Sequence, residues 1–463
     1  MMERRCDWIE KVTGGRLIGA PSDKNLLVCG VSTDTRQIKE NQLYVPLTGE
    51  KFDGHQFAGQ AIERGAAAIL WQQDRPLPER SRVPFILVED TLTALQELAK
   101  AYREESAVPV VAVTGSNGKT TTKDLIASVL GSKYQVHKTQ GNLNNHIGVP
   151  LTLLSMPERA EIAVVEMGMN HAGEIALLSR LAKPDAAVIT NIGESHIEYL
   201  GSREGIARAK LEIKEGLRSD GPLIFDGDEP LLEKYLTDDT HPHVRIGWGN
   251  DMDESPENIE MKGAAGFTFR SKSKKTLFRL TLLGRHNIKN ALFAIVVGRH
   301  FGLFEEEIAA GLSRVQSTGM RLEMVTAQNG MQIINDAYNA SPTSMRAALD
   351  LLAELEPQLE KWALLGDIHE IGSLEENYHK ELGAYAIQKG ISRIYTVGKR
   401  GRWISEGARE ANRDSARWIQ HFASLAEAGE VLNQKGNSGV LLLVKASRAV
   451  QLDQVVKNLT EGE

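Results

Sequence analysis

The segment Gly115-Ser116-Asn117-Gly118-Lys119-Thr120-Thr121 holds the residues of this chain best suited to chemistry. It follows an apolar run, Val110-Val111-Ala112-Val113, that reads as a buried strand, and it precedes a helix expected over 123–130. A glycine-rich turn between a strand and a helix aims several backbone N–H groups and a helix N-terminus at one point. Lys119 adds a positive charge there, and the Thr120 hydroxyl offers an oxygen ligand to Mg²⁺. Such a turn suits the phosphates of a nucleotide. The usual pattern has a further glycine where this chain has Val113.

In open parallel sheets, ligands bind beyond the carboxyl ends of the strands. Two more polar groups are expected at that edge. Glu166 ends the apolar run Ile162-Ala163-Val164-Val165, and His196 follows the run Ala187-Val188-Ile189-Thr190. Glu166 is read either as an oxygen ligand for Mg²⁺ or as a cap for the next helix. His196 is read either as a metal ligand or as a hydrogen-bonded histidine at a helix entry. Lys210 lies on a helix expected from 203 to about 217, capped by Gly201-Ser202. It shares one apolar stripe with Ile206, Ala209, Ile213 and Leu217. A lysine there snorkels from the edge of that stripe, or is buried and kept neutral and nucleophilic. The stripe alone favours snorkelling.

These groups need a scaffold of alternating strands and helices. At 463 residues the chain exceeds one ordinary core. Three units are expected, over 1–106, 107–318 and 319–463. The first mixes short strands near 26–31, 43–46, 67–71 and 85–88 with helices near 58–64 and 92–103. The second has near-continuous apolar strands at 162–166, 186–191 and 222–225, as in a parallel sheet covered on both faces, with an antiparallel ribbon over 267–283. The third has strands at 332–335, 362–365, 393–397 and 439–444. The composition is 41% hydrophobic, 25% charged and 6% aromatic, that of a soluble globular protein. A net charge of −7 argues against nucleic acid as the main partner. No apolar run approaches a membrane span, no signal peptide is expected behind Met1-Met2-Glu3-Arg4-Arg5, and two cysteines are too few for a disulfide framework. A cytoplasmic, monomeric protein is expected.

Together these motifs resemble the ATP-dependent Mur ligases of bacterial cell-wall synthesis, across all three units. The resemblance implies an α/β protein of three domains: a central ATPase-like parallel sheet, an N-terminal UDP-substrate domain and a C-terminal Rossmann-like domain. It implies that Gly115, Ser116, Asn117, Gly118, Lys119, Thr120 and Thr121 bind ATP. Thr120, Glu166, His196 and Lys210 would serve two Mg²⁺ sites, Lys210 as a carbamate, which reverses the snorkelling reading. Lys119, Lys210, His196 and Glu166 would be the catalytic set. Gly284-Arg285-His286-Asn287-Ile288-Lys289-Asn290 resembles the adenine-side motif, implicating Asn287 and Asn290. Arg321, in a hinge-like Thr318-Gly319-Met320-Arg321, and Asp336 would reach the nucleotide from the third domain.

Within the family, Asp336-Ala337-Tyr338-Asn339-Ala340-Ser341-Pro342 is similar to the signature of the members that add D-alanyl-D-alanine to UDP-N-acetylmuramoyl-tripeptide through an acyl phosphate, with Ser341 in place of Asn. Tyr338 and Asn339 would then face the dipeptide, near loops 366–370 and 445–448. His369 and Glu370 read as loop structure. Ser32, Thr33 and Arg36, with the stretch 49–55, resemble the region that holds the UDP-linked substrate, and Asn142 and Asn145 a loop facing it. Alternatives are a tripeptide-forming member of the family, a small-molecule kinase or a nucleotide switch.

Overall fold

The computed structural model describes residues 1–49, 52–78, 82–316, 318–412 and 417–462. Glu50 and Lys51, inside the 49–55 stretch, lie outside them, as does Ser317 in the break between the second and third units.

The central sheet has six parallel strands: β1 (Val110–Thr114), β2 (Val136–Lys138), β3 (Ile162–Glu166), β4 (Ala186–Ile189), β5 (Leu223–Asp226) and β6 (His243–Ile246). Their order is β6-β5-β4-β1-β3-β2. The reason for the apolar runs is visible in β1. Val110 and Ala112 bury into one hydrophobic cluster, Val111 and Val113 into another on the opposite face. Every position is therefore inside, and no polar residue alternates. The chain leaves β1 toward β3 on one side and β4 on the other. The register sets Glu166 opposite Val113 and Ile189 opposite Thr114, so the loops after β1, β3 and β4 share one rim. That is the switch point of an open sheet, where a ligand crevice forms.

Helix α1 (Lys119–Leu130) begins four residues before the expected start. Three consecutive threonines argue weakly for helix in isolation, but Thr120 and Thr122 are buried and Gly118, at φ 80, turns the chain straight into the first turn. Helix α2 (Arg203–Leu211) is capped by Ser202, whose side chain accepts from the Gly205 N–H. It ends before the expected 217 and tightens into a 3₁₀ turn, Glu212–Gly216. Neighbouring groups pull on that turn. Glu212 accepts from the N–H groups of Gly173 and Ala176, and Ser179 donates to the Ile213 carbonyl. Helix α3 (His286–His300) packs on α1, and the expected ribbon is three antiparallel strands, Pro256–Met261, Phe267–Ser271 and Leu277–Leu280.

Before this sheet lies a smaller one of five strands, Val31–Ser32, Leu43–Tyr44, Ala68–Gln72, Phe85–Val88 and the antiparallel edge Arg16–Ile18. Beyond it lies a second six-stranded sheet: β7 (Glu323–Thr326), β8 (Gln332–Asn335), β9 (Glu360–Leu365), β10 (Arg393–Val397), β11 (Trp418–Phe422) and β12 (Val440–Lys445). Its order is β7-β8-β12-β9-β10-β11, parallel except for β7. Helix α4 (Pro342–Glu354) follows β8 and is capped by Ser341. Among the described residues no helix is long and apolar enough to cross a membrane.

Candidate active site

A cavity of about 860 Å³ opens at the rim of the central sheet, between it and the sheet of β7–β12. Its floor is the turn after β1. Gly115 and Gly118 are both at positive φ, and each is hemmed in: a Cβ on Gly115 would run into the Thr190 hydroxyl, and one on Gly118 would lie 2.9 Å from Asn290 Oδ1. Only glycine fits these two positions. The turn is braced from the loop after β4. Ser116 N–H donates to the Asn191 carbonyl (3.0 Å), Asn117 N–H to Asn191 Oδ1 (2.9 Å) and Thr190 Oγ1 to the Asn117 carbonyl (2.5 Å).

Lys119 Nζ folds back on this turn, donating to the carbonyls of Gly115 (2.8 Å) and Ser116 (3.4 Å). Burial pushes its pKa down, Glu166 works against that, and Arg321 adds to it. Glu166 is buried at the end of β3. Its Oε1 accepts from Asn144 Nδ2 at 2.9 Å, while Oε2 has no hydrogen-bond partner among the described residues and lies 3.9 Å from Lys123 Nζ. A buried carboxylate oxygen without a donor is costly unless a cation completes it. That orphan oxygen, with the Thr120 hydroxyl lining the same cavity, fits a hard cation such as Mg²⁺. Among the described residues no three His, Cys, Asp or Glu side chains form a metal-binding group, so most ligands of such an ion would be hydroxyl and phosphate oxygens.

His196 lines the cavity too, in the left-handed conformation at φ 65. Its Nδ1 is 2.7 Å from Glu370 Oε2, and the contact holds the Glu370 carboxyl below the usual range. Lys210 is 1% exposed, against the snorkelling reading. Burial, and Lys119 beyond it, pushes its pKa well below the ordinary lysine value. It is not among the residues lining the cavity.

The far wall comes from the third sheet. Arg321 Nη2 donates to Thr120 Oγ1 at 3.0 Å, and its guanidinium lies 4.0 Å from the centre of the Tyr338 ring. Asp336 pairs with the buried Lys445 (2.6 Å), which also donates to the Asn339 carbonyl (2.9 Å). Ser341 donates to Asn117 Oδ1 at 3.0 Å and accepts from the Ser344 N–H, so one hydroxyl caps α4 and touches the phosphate-binding turn. On the near wall, Asn287 and Asn290 are buried and joined side chain to side chain at 2.8 Å. Asn142 and Asn145 line the cavity as well.

The cavity therefore gathers Ser116 to Thr121, Glu166, His196, Asn287, Asn290, Arg321, Asp336, Asn142, Asn145, Tyr338 and Asn339. Gly115, one residue outside it, shapes the turn. Ser32, Thr33 and Arg36 are not part of its lining. The Ser32 hydroxyl donates to the Asp34 carbonyl, and Arg36 pairs with Asp34 while staying exposed. The sequence reading gave no role to Asn144, Asn191 or Lys123 in holding Glu166 and the turn. It also took Glu370 for plain loop structure. Nothing local marks them, since each has its partner on another strand end.

An anion-seeking turn, a buried carboxylate and cations from two sheets define a nucleotide-dependent α/β enzyme of several domains. Residues 28–103 match the model for the Mur ligase family catalytic domain, 113–298 that for the Mur ligase middle domain, and 320–448 that for the Mur ligase glutamate ligase domain. A UDP-N-acetylmuramoyl-tripeptide–D-alanyl-D-alanine ligase of Bacillus subtilis (strain 168) is 49% identical over 463 residues, covering 100% of this chain and 99% of the relative. The Escherichia coli (strain K12) enzyme of that name is 35% identical, covering 97% of each. A crystal structure of MurF from Acinetobacter baumannii superposes with a TM-score of 0.89 at 30% identity, covering 100% of this chain and 99% of that one. The chain belongs to the Mur ligase family.

Proposed function

We propose that this protein joins UDP-N-acetylmuramoyl-tripeptide to D-alanyl-D-alanine with ATP, in peptidoglycan precursor synthesis. One observation carries the reading: the turn at Gly118, the carboxylate of Glu166 and the Arg321–Asp336 wall of a second sheet all face one cavity. Full-length likeness to ligases of that activity, at 49% and 35% identity, sets the substrates.

A carboxylate oxygen is a poor leaving group, so amide formation needs an activated acyl donor. The tripeptide carboxylate attacks the γ-phosphorus of ATP, giving an acyl phosphate and ADP. The dipeptide amine attacks the acyl carbon, the tetrahedral intermediate collapses, and inorganic phosphate leaves with the amine proton released to solvent. Both steps crowd anions together, so the protein's work is alignment and charge neutralisation. Lys119 would exchange its two carbonyl partners for β- and γ-phosphate oxygens, alongside the N–H groups of 118–121, those of Ser116 and Asn117 being taken by Asn191. Arg321 would meet the phosphates from the opposite wall. Asn287 and Asn290 would sit on the adenine side, and Asp336 would contact the nucleotide.

Thr120 and Glu166 would hold one Mg²⁺ and His196 and Lys210 a second, ions that neutralise phosphate charge and polarise the acyl oxygen. Lys210 fits a carbamate. A buried amine whose pKa is pushed down gives up its proton more readily, the neutral form adds to CO₂ with loss of one further proton, and the product is an anion at a position with no ion pair among the described residues. Asn142 and Asn145 would face the acceptor peptide, and Tyr338 and Asn339 the dipeptide. The assignment of Ser32, Thr33 and Arg36 to the UDP moiety rests on family likeness. The units 1–106, 107–318 and 319–463 would act as UDP-substrate, ATP and dipeptide domains of a cytoplasmic monomer.

The test is mass spectrometry of products from the purified protein with ATP, UDP-N-acetylmuramoyl-tripeptide and D-alanyl-D-alanine. The pentapeptide, ADP and phosphate are expected in equal amounts. Addition of a diamino acid to the UDP-dipeptide instead, or ADP without an amide, would overturn the reading.

A further inference from the structure

Among the described residues the cavity has one large, exposed aromatic on its wall with no task so far. Trp248 lines it and remains 43% exposed. Among the described residues its ring has no aromatic, cation–π or hydrogen-bond partner. An indole left half in water is held in place all the same. Its backbone N–H donates to both carboxylate oxygens of Asp228, at 3.1 and 3.0 Å. Lys289 donates to Asp228 at 2.8 Å and to the buried Asp226 at 2.7 Å. The residue before the indole, Gly247, is equally confined, since a Cβ there would lie 2.6 Å from Asp228 Oδ1 and 2.9 Å from Met252.

This clamp connects directly to the phosphate-binding turn. Lys289 is one residue before Asn290 on α3, and Asn290 packs against Gly118. The first turn of α3 thus touches the turn at Gly118 through one side chain and the Trp248 loop through the next. A nucleotide has the same layout, with phosphates at one end and a flat, uncharged ring at the other. Rigid indoles are good stacking partners for such rings, because an aromatic face meets a base face with little entropy to lose.

We infer that Trp248 is the platform on which the purine base of the nucleoside triphosphate stacks, with Asp228 and Lys289 as the positioning residues that hold it. The inference rests on the nucleotide reading of the turn at Gly118. Stacking is indifferent to the edge of the base, so Trp248 sets affinity while Asn287 and Asn290 are left to read that edge.

The test titrates the full-length protein with ADP alone, following tryptophan emission and, separately, calorimetric affinity. Of the six tryptophans, Trp248 alone lines the cavity among the described residues, so ADP should quench its emission saturably. Trp248→Phe should bind ADP within about threefold of the parent and lose that quenching. Trp248→Ala should bind about tenfold more weakly, as expected for the loss of one base-stacking partner. In turnover it should raise KM for ATP and leave kcat unchanged. Unaltered ADP affinity in Trp248→Ala, or full quenching in Trp248→Phe, would overturn the inference while the nucleotide reading stands. Quenching by UDP and not by ADP would assign the indole to the other nucleotide and overturn it too. A parent protein that binds no ADP would sink the nucleotide reading itself.

Discussion

Replacing Lys210 by methionine should make the protein more stable and inactive at once. Lys210 is buried, without an ion pair or hydrogen bond among the described residues, and the nearby positive charge of Lys119 pushes its pKa further down. A polar group taken from water without a partner costs roughly 1–3 kcal/mol. Methionine keeps the unbranched stem and removes that cost, so a gain of about 2 kcal/mol is expected. At 2–4 °C per kcal/mol for units of this size, the melting temperature should rise by about 4–8 °C. The sign with pH follows from linkage. The native pKa is depressed, so between it and the ordinary lysine value the unfolded chain carries a proton that the native state lacks. Stability of the parent should therefore climb as pH rises toward that ordinary value, and the advantage of Lys210→Met should shrink with it. Melting curves in CO₂-depleted buffer without nucleotide, from about pH 7 to 10, measure this. A variant that melts below the parent, or a gap that does not change with pH, would show that Lys210 is already paired in the folded protein. Parent-like turnover would dispose of its carbamate role.

Lys119→Ala should lower kcat/KM for ATP by about 10²–10³, the scale for losing one charge-stabilising donor, with an unchanged circular dichroism spectrum. Ser341→Ala loses both the cap of α4 and the bond to Asn117, and should shift denaturant unfolding of the third-sheet unit by about 1–2 kcal/mol. Ser341→Asn can accept and donate in the same places and should stay within about 0.5 kcal/mol of the parent. Burial, aided by Asp23, Asp7 and Glu10, pushes the Cys6 thiol up to about 11. A thiol reagent at pH 8 should then label Cys29 in the native protein and reach Cys6 only after unfolding, as peptide mass spectrometry would read.

The strand at 162–166 was legible to the residue, because a buried parallel strand leaves a near-continuous apolar run. Among the strands that went unread, Val136–Lys138, His243–Ile246, Glu323–Thr326 and Trp418–Phe422 are all edge strands, half-exposed and rich in polar side chains. Their pairing comes from neighbours and leaves no local pattern. The phosphate-binding turn was legible because its conformation and its chemistry use the same residues. Glu166 was legible as a strand-end carboxylate, but Asn144, which holds it, comes from a loop 22 residues earlier. Lys210 shows the limit of periodicity. A helical stripe says which residues share a face, and only the packed helix says that this face is wholly enclosed.

Thr318 and Arg321 have one more consequence. They meet Asp124 and Thr120, four residues apart on α1 and so on one side of that helix. The connector runs along the helix like a strap fastened at two buckles. Four helical residues span about 6 Å, within the roughly 10 Å that three extended residue steps can reach. Surface connectors usually accept added or missing residues, but here a change of one residue between the buckles would shift Arg321 relative to Thr120 or Thr318 relative to Asp124. Spacing between 318 and 321 should thus be as intolerant of change as the catalytic groups it serves, although its sequence looks like an ordinary link.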